Sequence, residues 1–150
     1  MAQKISETIN IPLFDINSSD PSLIKDYDML ILGTPVEAFR PAKETMAFIK
    51  KIPQTREKKV ILFCTYALWK GATFGSLSRQ LKDKGYECIL KVSKKKVIPG
   101  KTDFSDVVDQ IKRTLENLSK YHKLISAQST IVPYFLILIS KPMIILENQF

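Results

Sequence analysis

Two unbroken apolar runs, Met29–Leu32 (MLIL) and Val60–Cys64 (VILFC), constrain this chain more than any other feature. A strand with no polar face must be covered on both sides, as inside a parallel sheet flanked by helices. Gly33, Thr34 and Pro35 close the first run, and from Arg40-Pro41 onward Ala42, Met46 and Ile49 recur at helical spacing. The pattern predicts a strand, a turn at its carboxyl end, and a helix with Pro41 at its first position. In open α/β sheets such turns are where ligands bind.

The rest of the chain repeats the alternation. Met1–Asn10 carries Ile5 and Ile9 four apart, a short amphipathic helix, and Ile11–Ile16 reads as a strand. A polar turn, Asn17–Pro21, and one helical turn at Ser22–Lys25 lead into the Met29 strand, and Pro53 stops the Pro41–Ile52 helix. After Val60–Cys64 and the loop Thr65–Gly71 (TYALWKG) comes a helix bearing Phe74, Leu77 and Leu81, with Gly85 just past its end. Tyr86–Val92 is a further strand and Ser93–Lys101 a basic loop. Thr102 or Asp103 caps a long helix, Asp103–Tyr121, with Phe104, Val107, Val108, Ile111, Leu115 and Leu118 on one stripe. Short connections between alternating strands and helices predict an α/β fold with a mostly parallel sheet. Residues 1–122 read as one domain, and 123–150 as a hydrophobic tail.

Several function classes fall away. The net charge is +8, but the lysines are scattered (Lys50-Lys51, Lys58-Lys59, Lys94–Lys96) with no aromatic-interleaved stripe, which argues against nucleic acid. Cys64 and Cys88 lie within apolar runs without a CxxC or Cys/His cluster. They read as buried free thiols in a reducing, cytoplasmic setting. Cys64 has no His or acid partner in view and His122 falls on a polar helix, so neither reads as a catalyst. Asp26 and Asp28 read as turn formers rather than metal ligands. A phosphoacceptor receiver domain needs an Asp where Gly33-Thr34-Pro35 stands.

The stretches DYDMLILGTPVEAFRPAKETMAFIKK and KKVILFCTYALWKG resemble the flavodoxin family, notably its short prokaryotic single-domain members. The resemblance runs from about Ala2 to Leu118. It implies a flavodoxin-like doubly wound parallel sheet and FMN-dependent electron transfer between redox protein partners. By position, the loops holding the flavin ring correspond to Thr34, Pro35, Val36, Glu37, Ala38 and Phe39 after one strand. After the next, they correspond to Thr65, Tyr66, Ala67, Leu68, Trp69 and Gly71. Phe39, Tyr66 and Trp69 supply flat walls, and loop backbone groups supply donors and acceptors for the ring's polar edge. Glu37-Ala38 stands where many relatives carry an aromatic-glycine pair.

One part of the family pattern has no counterpart. Flavodoxins open with a strand and a Ser/Thr-rich loop that surrounds the FMN phosphate, whereas this sequence opens within what resembles the first helix. The nearest substitute, Gly71–Ser76 (GATFGS), belongs to a different loop. The expectation is an N-terminally truncated domain, with Met1 an internal methionine or the gene disrupted, and weakened FMN binding. The first strand is central in such sheets, so its loss leaves two strand edges unpaired. The tail, with Ile131–Ile139 (IVPYFLILI) and Met143–Leu146 (MIIL), is too short and interrupted to span a membrane. It reads as a read-through end, or as a peripheral membrane anchor. A further reading puts Tyr134–Ile139 into the vacant strand position. The alternative functions are an NAD(P)H- or quinone-linked flavin reductase, and a remnant that binds no flavin and serves as an interaction module.

Overall fold

The computed structural model describes residues 1–96, 102–128 and 143–147. Five strands pair in parallel: β1 (Leu13–Asp15), β2 (Met29–Glu37), β4 (Lys58–Tyr66), β5 (Tyr86–Lys95) and β6 (Met143–Glu147), with β3 (Arg40–Pro41) antiparallel to β2. Their spatial order is β1-β6-β2-β4-β5. The helices are α1 (Ala2–Ile9), α2 (Lys43–Lys51), α3 (Thr73–Asp83) and α4 (Ser105–Gln128), and Pro21–Asp26 forms a 3-10 turn.

The sheet is covered on both faces, as its unalternating strands require. Leu30, Leu32, Val60 and Leu62 face one core with Phe48 and Ile49 of α2 and Leu77 and Leu81 of α3. Ile31, Ile61 and Phe63 face the other, with Ile5 of α1 and Val107, Val108 and Ile111 of α4. Asp103 caps α4 by accepting from the Ser105 backbone N–H at 2.9 Å and its hydroxyl at 2.6 Å. Gly85, at φ +84°, ends α3 in the left-handed conformation that the helix pattern anticipated.

The position between β1 and β2 is filled by β6. Leu13 pairs with Ile145 on one side, and Leu30 with Ile144 and Ile31 with Ile145 on the other. The Ile145 N–H donates to the Pro12 carbonyl at 3.0 Å, and the Ile16 N–H to the Glu147 carbonyl at 3.2 Å. Ile144, Ile145 and Leu146 are fully buried. The strand therefore comes from the tail, supplied by Met143–Glu147; Tyr134–Ile139, proposed for that place from sequence, lies outside the described residues.

Three element boundaries around this end of the sheet differ from the sequence reading. Gly33, Thr34 and Pro35 are part of β2 rather than a turn, paired with Phe63, Cys64 and Thr65. Gly33 stays in the strand because the Phe63 ring occupies the space a side chain would take. Pro41 is in the return strand β3, and α2 begins at Lys43. The fixed φ of proline suits an edge strand as well as a helix start. Likewise Ser93–Lys95 extend β5 beside Cys64–Tyr66 instead of opening a loop.

Fully burying an isoleucine or leucine contributes roughly 1.5–3 kcal/mol, so the three fully buried residues of β6 matter on the scale of a domain's whole stability, about 5–15 kcal/mol. Ile145→Ala is expected to cost about 2–5 kcal/mol in urea unfolding. A loss below about 0.5 kcal/mol, the size of a surface substitution, would contradict the placement of β6.

Candidate functional site

The carboxyl ends of β2 and β4 bring the two predicted loops together. Beyond Pro35, β2 turns back into β3 through Ala38 and Phe39, with Val36 opposite Pro41 and Glu37 opposite Arg40. Ala38 (φ 44°) and Phe39 (φ 65°) are both left-handed, as a two-residue hairpin turn of the primed type needs. Neither is glycine, so the hairpin holds backbone strain of about 1 kcal/mol or more per residue.

Thr34 anchors this hairpin from beneath. Its buried hydroxyl accepts from the Ala42 N–H at 3.2 Å and the Thr45 hydroxyl at 3.0 Å, and lies 3.0 Å from the Pro35 carbonyl as donor. The Ala42 N–H also reaches the Pro35 carbonyl at 3.3 Å. The side chain is committed to joining hairpin and α2, while Pro35 and Val36 are half-buried and Glu37, Ala38 and Phe39 exposed.

The second loop lies against the first. The Ala72 N–H donates to the Phe39 carbonyl at 3.3 Å. Gly71, at φ +53°, approaches so closely that a Cβ there would collide with the Phe39 carbonyl oxygen. Thr65 is buried and Tyr66 half-buried, the Tyr66 carbonyl accepting from the Lys96 N–H at 2.7 Å. The N–H groups of Ala67, Leu68 and Trp69 have no backbone partner among the described residues.

At the meeting point, the Phe39 and Trp69 rings touch, with centroids 5.8 Å apart and planes tilted by 50°. Phe39 is 47%, Leu68 79% and Trp69 64% exposed, a concentration of apolar surface at one edge of the sheet. Of the twelve residues the resemblance assigns to the two loops, ten are half-buried or exposed, while Thr34 and Thr65 are buried. Cys64 is buried next to the loop, and burial pushes its thiol up to about 11 against the pull of Lys70, which suits packing rather than nucleophilic chemistry. Among the described residues no three His, Cys, Asp or Glu side chains cluster as a metal site, and no helix is long and apolar enough to cross a membrane.

One residue at the carboxyl end of β6 escaped the sequence reading. Glu147 ends β6 beside Gly33 and next to Asp15 of β1. Burial raises its carboxyl pKa, while the Met1 amino group, the Ala2 N–H and Lys96 pull it the other way. The signal was the two-residue step from Ile145 to Glu147, which sets both on one face once MIIL is read as a strand.

Ala38→Gly should stabilise the protein by about 1 kcal/mol, since glycine adopts a left-handed φ without steric cost. Urea unfolding checks this; a destabilised variant would contradict the hairpin geometry.

No family model matches the chain. An uncharacterized protein of Methanocaldococcus jannaschii is 28% identical over 91 residues, and the match covers 59% of this chain and 60% of that protein's length. Among solved structures, a flavodoxin from the domain Archaea superposes with a TM-score of 0.56, covering 75% of this chain and 81% of its own at 16% identity. At that identity the likeness speaks to architecture alone, and the architecture agrees with the sheet order and double covering described above: the chain has a flavodoxin-like fold.

Proposed function

We propose that this protein is a flavodoxin-like electron carrier whose two loops hold the isoalloxazine ring of a flavin, FMN being the form the family resemblance implies. The observation that carries the reading is the exposed Phe39–Trp69 pair at the carboxyl ends of β2 and β4. It lies where open α/β sheets bind ligands. The N–H groups of Ala67, Leu68 and Trp69, which have no backbone partner among the described residues, suit the polar edge of such a ring. A bound flavin supplies the redox centre, passing electrons between partner proteins.

The fit has a definite physical form. A flat ring between two aromatic walls needs about 7 Å, two carbon contacts of roughly 3.5 Å each. At 5.8 Å, Phe39 and Trp69 already touch, so the ligand parts them on entry. Separating one aromatic pair costs about 0.5–1.5 kcal/mol, less than stacking a flat heterocycle on an aromatic face returns, about 1–3 kcal/mol.

The surroundings favour an acidic redox partner. Arg40, Lys70, Lys95 and Lys96 are exposed around the apolar patch, and Glu37 is the one acidic residue in the two loops. A negatively charged protein is drawn to such a rim, and salt weakens that attraction.

Trp69 is the chain's one tryptophan, so its emission reports directly on the site. Titration with riboflavin or FMN should quench both Trp69 and flavin fluorescence with a dissociation constant in the micromolar range. Phe39→Ala should weaken binding about fivefold or more, the loss of one stacking wall. Absence of quenching at millimolar flavin would overturn the reading.

A further inference from the structure

The strand that completes the sheet also decides what the amino end of α1 faces. In β6, Ile144 and Leu146 belong to the core under α2 and α3, and Ile145 to the opposite core with Ala2 and Ile5 of α1. Side chains alternate along a strand, so Glu147, two residues beyond Ile145, points to the α1 side. It is the last residue of β6 and pairs with Gly33, four residues before β2 ends at Glu37 and leads into the Phe39 hairpin. There the Ala2 N–H, in the first turn of α1, lies within reach of the carboxylate.

The amino end of a helix attracts anions through its free N–H groups and dipole. In this protein that role falls to a carboxylate of the chain itself. Asp15, the β1 neighbour of Glu147, turns its carboxylate away to accept from the Asn17 N–H at 2.9 Å. The cations that act on Glu147 are the Met1 amino group and, more weakly, Lys96. An FMN phosphate brought to this strand end meets a carboxyl group on the side of the sheet that α1 covers, with the Ala2 N–H within its reach. The residues present do not fit that phosphate.

Resting on the flavin reading above, we infer that Glu147 closes the strand end to phosphate, so that the site recognises the flavin ring alone and takes riboflavin as readily as FMN. Glu147 is thus the specificity-determining residue. Binding strength resides in the Phe39–Trp69 loops and discrimination at the end of β6.

Riboflavin and FMN are titrated at pH 8 into the wild type, E147Q and E147K, following Trp69 quenching. The expected wild-type affinities agree within about threefold. E147Q should favour FMN modestly, and E147K by about tenfold, the scale of one charge-assisted contact, with riboflavin unchanged in both. FMN binding at least tenfold tighter than riboflavin in the wild type would overturn the inference and leave the flavin reading intact. Failure of all three proteins to bind either flavin would overturn both. Inorganic phosphate gives a flavin-free measurement: it should raise the melting temperature of E147K above that in chloride of equal ionic strength and leave the wild type unmoved. Equal stabilisation of both proteins would show the strand end open and contradict the inference.

Discussion

The parallel pairing of β6 between β1 and β2 is the interaction on which this structure depends. Without it, β1 would be cut off from the sheet and β2 would present a row of backbone donors and acceptors to a core that cannot solvate them. With it, Ile144, Ile145 and Leu146 are buried between two helical layers and both edges are satisfied. A strand paired with residues more than a hundred positions earlier in the chain is entropically costly to recruit, because distant parts of the chain must first be brought together. Its buried Ile144, Ile145 and Leu146 supply the compensating burial.

The same placement links architecture to binding. The carboxyl edge of the sheet carries two kinds of surface. At β2 and β4 it is an apolar shelf, built on a strained hairpin that Thr34 ties to α2 and that Gly71 lets the second loop approach. At β6 it ends in a carboxyl group turned toward α1. In the proposed reading one end takes a flat ring, and the other resists an anion. The flavodoxin-like fold supports both arrangements, since its loops vary on a fixed frame.

Much of the frame was legible in the residues. Unalternating MLIL and VILFC can only be doubly covered strands, and the stripe from Phe104 to Leu115 marks α4 without ambiguity. The positions of the two loops followed from the resemblance. Boundaries were less legible wherever a tertiary contact overrode local preference. Gly33 reads as a turn residue, yet the Phe63 ring makes it a strand residue. Pro41 reads as a helix start, yet hairpin pairing makes it extended. The tail read first as an appendage, and the further reading that put a tail strand into the sheet chose the longer of its two apolar segments. Register decided for the shorter one, because five residues suffice to pair with both β1 and β2. Glu147 was hidden for the same reason, as its facing has meaning only once that strand is assigned.

Amide hydrogen exchange on the full chain tests the central claim most directly, because it reads strand pairing residue by residue without altering the sequence. The account predicts that the amides of Ile144, Ile145 and Leu146 exchange as slowly as those of Leu30, Ile31 and Leu32, opening only with global unfolding. Exchange of residues 144–146 at the rate of an unstructured peptide, beside a protected β2, would contradict it.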